Sequence, residues 1–393
     1  MGWSPYRKPG VTYHHASLSW KGYTLVTATF GDATYLLNMD GQIVHRWYYP
    51  DLRVFYARLL PNGNLLALGN HPDLMPTTPQ DEARVLHPKG RPLKERVRTM
   101  GGNGSQLVEF NWESERVWSY DNEYIHHDFV RLANGNTILA EWVEMPEESD
   151  KLVRGGLREP QSRRPKLVSD DYIEIDQAGK EVRRIHLWEL LDPRRDPICA
   201  LEERNEWTHT NSLALNSVDN KLLFSCRDNS RVGIIDWNDG SLQWKFGAPE
   251  IFHQHHASWL SNGNVQIFDN GMHRHGMPFS RIVEVDPTDN NIAWSYTAKP
   301  QQQFFSGHIS GAERQPNNNV LICEGTGGRV FEVTRQGEVV WEWISPFVTV
   351  RRGEPSTWLF RAHRYGPDDP ALVDRDLDAK RYTALNKMFG LVE

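Results

Sequence analysis

Several of the chain's 16 histidines stand where a loop hands over to a short strand. They include "HHASLSW" from His14, "HHDFVRL" from His126, "WTHTNS" around His209, "FHQHHASW" from Phe252 and "SGHISG" around His308. Imidazoles gathered at one place support two kinds of chemistry. In one, a neutral ring attacks the central atom of a tetrahedral oxyanion group while further His and Arg hold its oxygens. Arg274, flanked by His273 and His275 in "NGMHRHGMPF", suits that task because a guanidinium pairs two oxygens at once. In the other, three or four imidazoles bind Zn, Cu or Fe, which polarises substrate or activates water or oxygen. Neither an HExxH nor a CxxC spacing is present, so such a metal would be held by residues far apart in sequence; His127, His209, His256 and His308 are the ligands this reading selects.

The elements that position these residues recur. Six of the 15 tryptophans, Trp47, Trp118, Trp188, Trp244, Trp294 and Trp341, close one phrase, a turn followed by a short apolar strand. Ahead of each phrase comes another strand, and ahead of that a pair of strands joined by a tight turn, as in "FYARLLPNGNLLALG" and "HHASWLSNGNVQIF". Asn-Gly and its relatives supply the positive φ that two-residue hairpins need. Each unit is four antiparallel strands in about 45 to 70 residues, the size of a propeller blade. The fold expected is all-β: a six-bladed β-propeller over residues 1–346, with a C-terminal tail, 347–393, packed on it. The repeated Trp is read as a wedge between blades.

Aligning the innermost strands on their hairpin turns sets His14 and His15 level with His255 and His256, and His127 level with His255. His209, His253 and His308 share one position just before the innermost strand. Five blades thereby bring a histidine to one mouth, and the second brings Tyr56. The loops joining the second and third strands reach the same face; two are long, residues 72–103 and 144–169, as binding loops often are. Tyr56, His127, His255 and His273 are the substrate-binding candidates, for a small aromatic or anionic substrate. The competing view, that each histidine merely satisfies backbone groups, explains single residues better than the whole set with Arg274. Asp170-Asp171 is read as a turn before a strand.

With 24% charged and 39% hydrophobic residues, the composition is that of a soluble globular protein. A formal charge of −7 without a concentrated basic face argues against nucleic acid or membrane as partner. No apolar leader and no long apolar run is visible, so the expectation is a cytoplasmic chain. The three cysteines read as buried free thiols.

The combination of "WTHTNSLALN", "QHHASWLSNGNVQIFDNG" followed by Arg274, and "SGAERQPNNNVLICEGTGGRVFEVTRQGEVVWEW" resembles the arylsulfotransferase family, most closely from the third blade onward. "LFRAHRYGPDDPAL" is similar to the segment that closes many members. The resemblance implies a six-bladed propeller that moves a sulfuryl group from an aryl sulfate to a phenol, by a ping-pong reaction through a sulfated histidine and with no cofactor. On its motifs, His209 and His256 match histidines of the family's site and Arg274 its sulfate-binding arginine. His308 is the candidate nucleophile, and Tyr56 could hold an aryl ring. The surplus of histidines favours the runner-up, a His-ligated metalloenzyme (oxidoreductase, lyase or hydrolase) on the same scaffold. A propeller that only binds a protein partner is the third reading, and the histidine set speaks against it.

Overall fold

The structure, a computed structural model, describes residues 8–74, 91–157, 165–351 and 353–392. Parts of the two long loops expected to reach the histidine-bearing face, 75–90 and 158–164, fall outside the described residues. Six antiparallel sheets in a propeller arrangement carry the fold, as the sixfold Trp phrase predicts. Among the described residues no helix is long and apolar enough to cross a membrane.

The chain divides into two compact units. The first comprises residues 1–72, 107–119 and 296–393. Its first blade orders strands Leu359–Tyr365, Tyr23–Ala28, Ala33–Leu37 and Ile43–Tyr48. Its second blade is built on Arg53–Leu59, Leu65–Asn70, Gln106–Phe110 and Arg116–Asp121. The sixth orders Gly311–Arg314, Val320–Glu324, Arg329–Val333 and Val339–Ile344, with Gly10–His14 added as a fifth strand. The other unit, residues 73–106 and 120–295, holds three blades. They run Ile125–Arg131 to Glu181–His186, Thr210–Asn216 to Leu242–Gly247, and His255–Trp259 to Ile292–Tyr296. Its largest core joins Tyr172, Trp207, Phe224, Ile235 and Trp237, each such buried side chain contributing about 1.5–3 kcal/mol.

Two expectations about the chain's ends change. "HHASLSW" does not enter an innermost strand: Gly10–His14 pairs with Val339–Ile344 at the outer edge of the sixth blade, His14 opposite Trp341. His15 is exposed there, with Ser17 beside it. The place expected for that motif is taken by Leu359–Tyr365, from the presumed tail, which pairs Leu25 with His363 and Val26 with Ala362. Burial explains the choice, since six of the seven residues of Leu359–Tyr365 are buried, against one of five in Gly10–His14. Further on, the side chain of Asn386 binds both the N–H and the carbonyl of Ile43, at 2.7 and 3.1 Å.

The hairpin turns are one residue longer than the Asn-Gly signal suggests. Leu60 N–H donates to Asn64 and Gly63 N–H to Leu60, and Gly63 alone takes positive φ, 83°. That is a type I turn closed by a glycine bulge. Asn62 stays right-handed and uses its Oδ1 to accept from Asn64 N–H at 3.0 Å. Residues 132–136 and 260–264 repeat the pattern.

The phrase tryptophans form a recurring device. The indole N–H of Trp47 donates to Asn111 O (3.1 Å), that of Trp244 to Asn290 Oδ1 (2.7 Å) and that of Trp341 to Met39 O (2.9 Å). Each acceptor lies in the turn after the third strand of the following blade, so the wedge is also a hydrogen-bonded clip. Trp188 departs from the phrase and sits in a helical turn, Leu187–Leu190. Cys226 and Cys323 are buried free thiols, whereas Cys199 is only half-buried.

Candidate active site

In the second unit each innermost strand begins with a bulge, and the histidines sit in or beside it. Residues 127–128 fall between the pairs His126–Ala140 and Phe129–Leu139; His256 falls between His255–Phe268 and Ala257–Ile267. Of 14 described non-glycine residues with positive φ, five are histidines: His127, His209, His253, His256 and His273. Such conformations cost on the order of 1–3 kcal/mol each and concentrate at functional sites. A bulge re-aims a side chain that the strand's alternation would otherwise dictate.

His209 lies at the centre. Its Nδ1 is 2.8 Å from Glu206 Oε2, which also accepts the Trp142 indole N–H at 3.0 Å. Burial disfavours a charge on His209, but the Glu206 carboxylate, with Asp228 nearby, outweighs it and raises the pKa to about 9. The ring is therefore a cation at neutral pH. His127 meets it edge-on, ring centres 4.6 Å apart. His127 Nδ1 lies 2.8 Å from His126 Nδ1, and His126 Nε2 is 3.2 Å from Asp170 Oδ1. Turning the His126 Nε2–H toward Asp170 leaves its Nδ1 to accept from His127, which leaves the His127 Nε2 with its lone pair. His126 stacks on Trp142 at 4.2 Å.

The loop before the third blade closes on these rings. Gly102, at φ 75°, accepts a hydrogen bond from His127 N–H. A Cβ there would stand 2.2 Å from His127 Nε2, so only glycine lets the backbone come this close.

On the other side of His209 lies a chain of charges. Arg227 bonds Asp228 Oδ1 at 2.6 Å and Glu202 Oε1 at 2.8 Å. Burial, with Glu206 and Glu202 adding to it, outweighs Arg227 and His209 and lifts Asp228 to about 6. Beyond Glu202 lie His253 and His273, with His273 Nδ1 3.1 Å from His253 Nε2 and 3.4 Å from Cys199 Sγ. Burial, then the Arg227 charge, pushes His253 down to about 2, so this ring is neutral.

The structure thus brings together His127 with His209, and His253 with His273. His255 bonds Asn270 Oδ1 at 2.8 Å and the His253 carbonyl at 3.2 Å, which positions the loop. Arg274, expected to hold sulfate, donates to Asp269 Oδ2 at 2.6 Å and lies over the Phe279 ring; Arg281 shares the same carboxylate oxygen. In the first unit, Tyr56 is buried and its hydroxyl is 2.9 Å from His363 Nε2, with Glu313 at 3.4 Å from the other ring nitrogen. His308, in the same unit, is half-buried and edge-on to Trp358 at 4.6 Å. Among the described residues, ligand atoms gather in Cys199, His253 and His273; in Glu202, Asp228 and His253; and in Glu206, His209 and Asp228.

Glu202, Glu206, Arg227, Asp228 and His126 went unselected in the sequence. Arg227-Asp228 follows the second strand of the fourth blade, the same place as Arg274 in the fifth, so the loop rule applied there would have found them. Asp170 and Asp171 are not in a turn but buried in strand Val168–Ile175. Thr210 N–H donates to Asp170 at 2.7 Å, and Arg184 and His186 bind Asp171 at 2.6 and 3.0 Å.

Fold and site define a β-propeller with a buried histidine–carboxylate cluster. The profile of the Arylsulfotransferase (ASST) family matches residues 13–254, and the chain belongs to that family. The match takes in His127 and His209, with the whole of "WTHTNSLALN", and ends before His256, Arg274 and His308. Arylsulfate sulfotransferase AssT of Escherichia coli O6:H1 (strain CFT073) is 20% identical over 287 residues, covering 53% of this chain and 46% of that protein. The chain thus spans about half the length of the curated relative it matches. A solved protein of unknown function from Bacteroides caccae shares the fold at a TM-score of 0.51, with 11% identity, 88% of this chain and 98% of that one covered. Virginiamycin B lyase of Staphylococcus aureus superposes at 0.45, with 13% identity and coverages of 86% and 85%, too low a score to carry an argument.

Proposed function

We propose that the protein transfers a sulfuryl group from an aryl sulfate to a phenolic acceptor in two displacements through a histidine. A neutral imidazole nitrogen attacks sulfur; the bond from sulfur to the aryl oxygen breaks, and its electron pair leaves with that oxygen, which takes a proton from His209 Nε2. In the second half, the acceptor phenol returns a proton to His209, its oxygen attacks sulfur, and the nitrogen–sulfur bond breaks.

One observation carries this reading: His209, inside the stretch matched by the arylsulfotransferase profile, is held protonated by Glu206. A pKa of about 9 lies close to a phenol's, about 10, so the proton moves either way at little cost. His256, in the same unit as His209, is the candidate nucleophile. Arg274 serves the sulfuryl oxygens if the substrate's negative charge displaces Asp269. The test is transfer from 4-nitrophenyl sulfate to a second phenol, with a sulfated enzyme isolable when the acceptor is withheld. His256→Ala should abolish both. Turnover by His256→Ala would rule out this nucleophile, and the absence of transfer with a range of donors would sink the reading.

A further inference from the structure

Beyond the His209 pair, the trio Cys199, His253 and His273 has no part in sulfuryl transfer as proposed. Three separate segments deliver it. Cys199 N–H is held by the Asp228 carbonyl at 2.8 Å, and His253 N–H by Ser230 Oγ at 3.1 Å. The loop carrying His273 is tied back by Gly271 N–H to the Phe252 carbonyl.

We propose that Cys199 Sγ, His253 Nε2 and His273 Nδ1 form a binding site for a borderline-soft divalent cation, Zn²⁺ above all, with Glu202 orienting His253 from behind. Tetrahedral zinc with Zn–N near 2.0–2.1 Å and Zn–S near 2.3 Å requires its ligands to stand about 3.3 Å (N to N) and about 3.6 Å (S to N) apart. The separations here are 3.1 and 3.4 Å, and all three ligand atoms lie within 4.8 Å of one another.

Hydrogen bonding alone accounts for the trio poorly. His273 Nδ1 faces both His253 Nε2 and Cys199 Sγ, and a single ring nitrogen offers one proton or one lone pair. His253 is fully buried, yet among the described residues its Nδ1 finds no hydrogen-bond partner; Glu202 Oε1 is 3.6 Å away. A cation on Nε2 explains both observations. It draws the two imidazoles and the thiolate onto one centre, and it leaves Nδ1–H directed at a carboxylate, the arrangement that metal-bound histidines usually show. Thiolate with imidazole selects zinc or copper over magnesium or calcium. Three protein ligands and a partly exposed His273 leave a fourth position for water or an anionic group.

The site stands whether or not the protein transfers sulfuryl groups, so its test uses no activity assay. The untagged full chain, stripped with chelator and dialysed, is titrated with Co²⁺. The expected result is about one equivalent bound, with a sulfur-to-cobalt charge-transfer band in the near ultraviolet that Zn²⁺ bleaches. Cys199→Ser should remove the band, His273→Ala should weaken binding at least tenfold, and Glu202→Gln should weaken it by about 10–100-fold. Circular dichroism checks that each variant is folded. Failure of the wild-type chain to bind one equivalent, or a band that persists in Cys199→Ser, would overturn the assignment.

Discussion

Glu206 Oε2 accepts from two directions, His209 Nδ1 at 2.8 Å and the Trp142 indole at 3.0 Å. The tryptophan holds the carboxylate in place, and the carboxylate holds the proton on the imidazole. His209 thus has a pKa near 9 when folded, against about 6.5 when unfolded. Because the folded value is the higher, the stabilisation is complete below about pH 6.5 and is lost as pH rises through 9. At about 1.4 kcal/mol per unit, the loss is on the order of 3 kcal/mol. Urea unfolding at pH 6, 7.5 and 9.5 should show this decline, and Glu206→Gln should flatten it. An unchanged slope in that variant would remove Glu206 as the cause.

If His209 protonates the departing phenolate, its loss should hurt most where the leaving group is most basic. His209→Gln should slow unactivated aryl sulfates by about 10²–10⁴-fold and 4-nitrophenyl sulfate far less, because its leaving group needs little help. Equal losses across a donor series would assign His209 to binding instead.

Gly102 is the tightest approach to the cluster, with φ at 75° and the His127 ring where a Cβ would fall. Gly102→Ala should destabilise by about 1–3 kcal/mol and displace His127. Thermal melting reads the first effect, and the histidine ring resonances in an NMR titration read the second.

Leu359–Tyr365 completes the first blade, so deleting residues 347–393 should leave Tyr23–Ala28 as an unpaired, apolar edge. The shortened chain should aggregate or melt without cooperativity. A sharp melt near the wild-type temperature would show that the strand is dispensable.

The fold was legible because its signals repeat. The Trp phrase and the Asn-Gly turns mark the same two points of blade after blade. What misled was a single short match: "HHASLSW" and "HHASWLS" are nearly identical, yet the first lies on an outer edge and the second on an inner strand. Local identity says nothing about which strands will bury a segment, and Leu359–Tyr365 won the inner place by its buried face. At the site the histidines were legible by position, but their partners were not. "LEERNEWTHT" offers Glu202, Glu203 and Glu206, of which Glu206 is buried, Glu202 partly so and Glu203 exposed. Tertiary burial alone separates them. Arg274 was legible as a cation on the loop after the fifth blade's second strand, but the Asp269 beneath it, at the end of an apolar strand, was not.

The pairing of Leu359–Tyr365 with Tyr23–Ala28 also sets a schedule. A ribosome must add the 330 residues from 29 to 358 between the two strands, about 15–70 s of synthesis at ordinary rates. Throughout that interval the first sheet waits half-finished, its Tyr23–Ala28 backbone available to any passing strand. Tyr23–Ala28 emerges long before its partner strand, and a cell producing this protein must shelter that edge until Leu359–Tyr365 arrives.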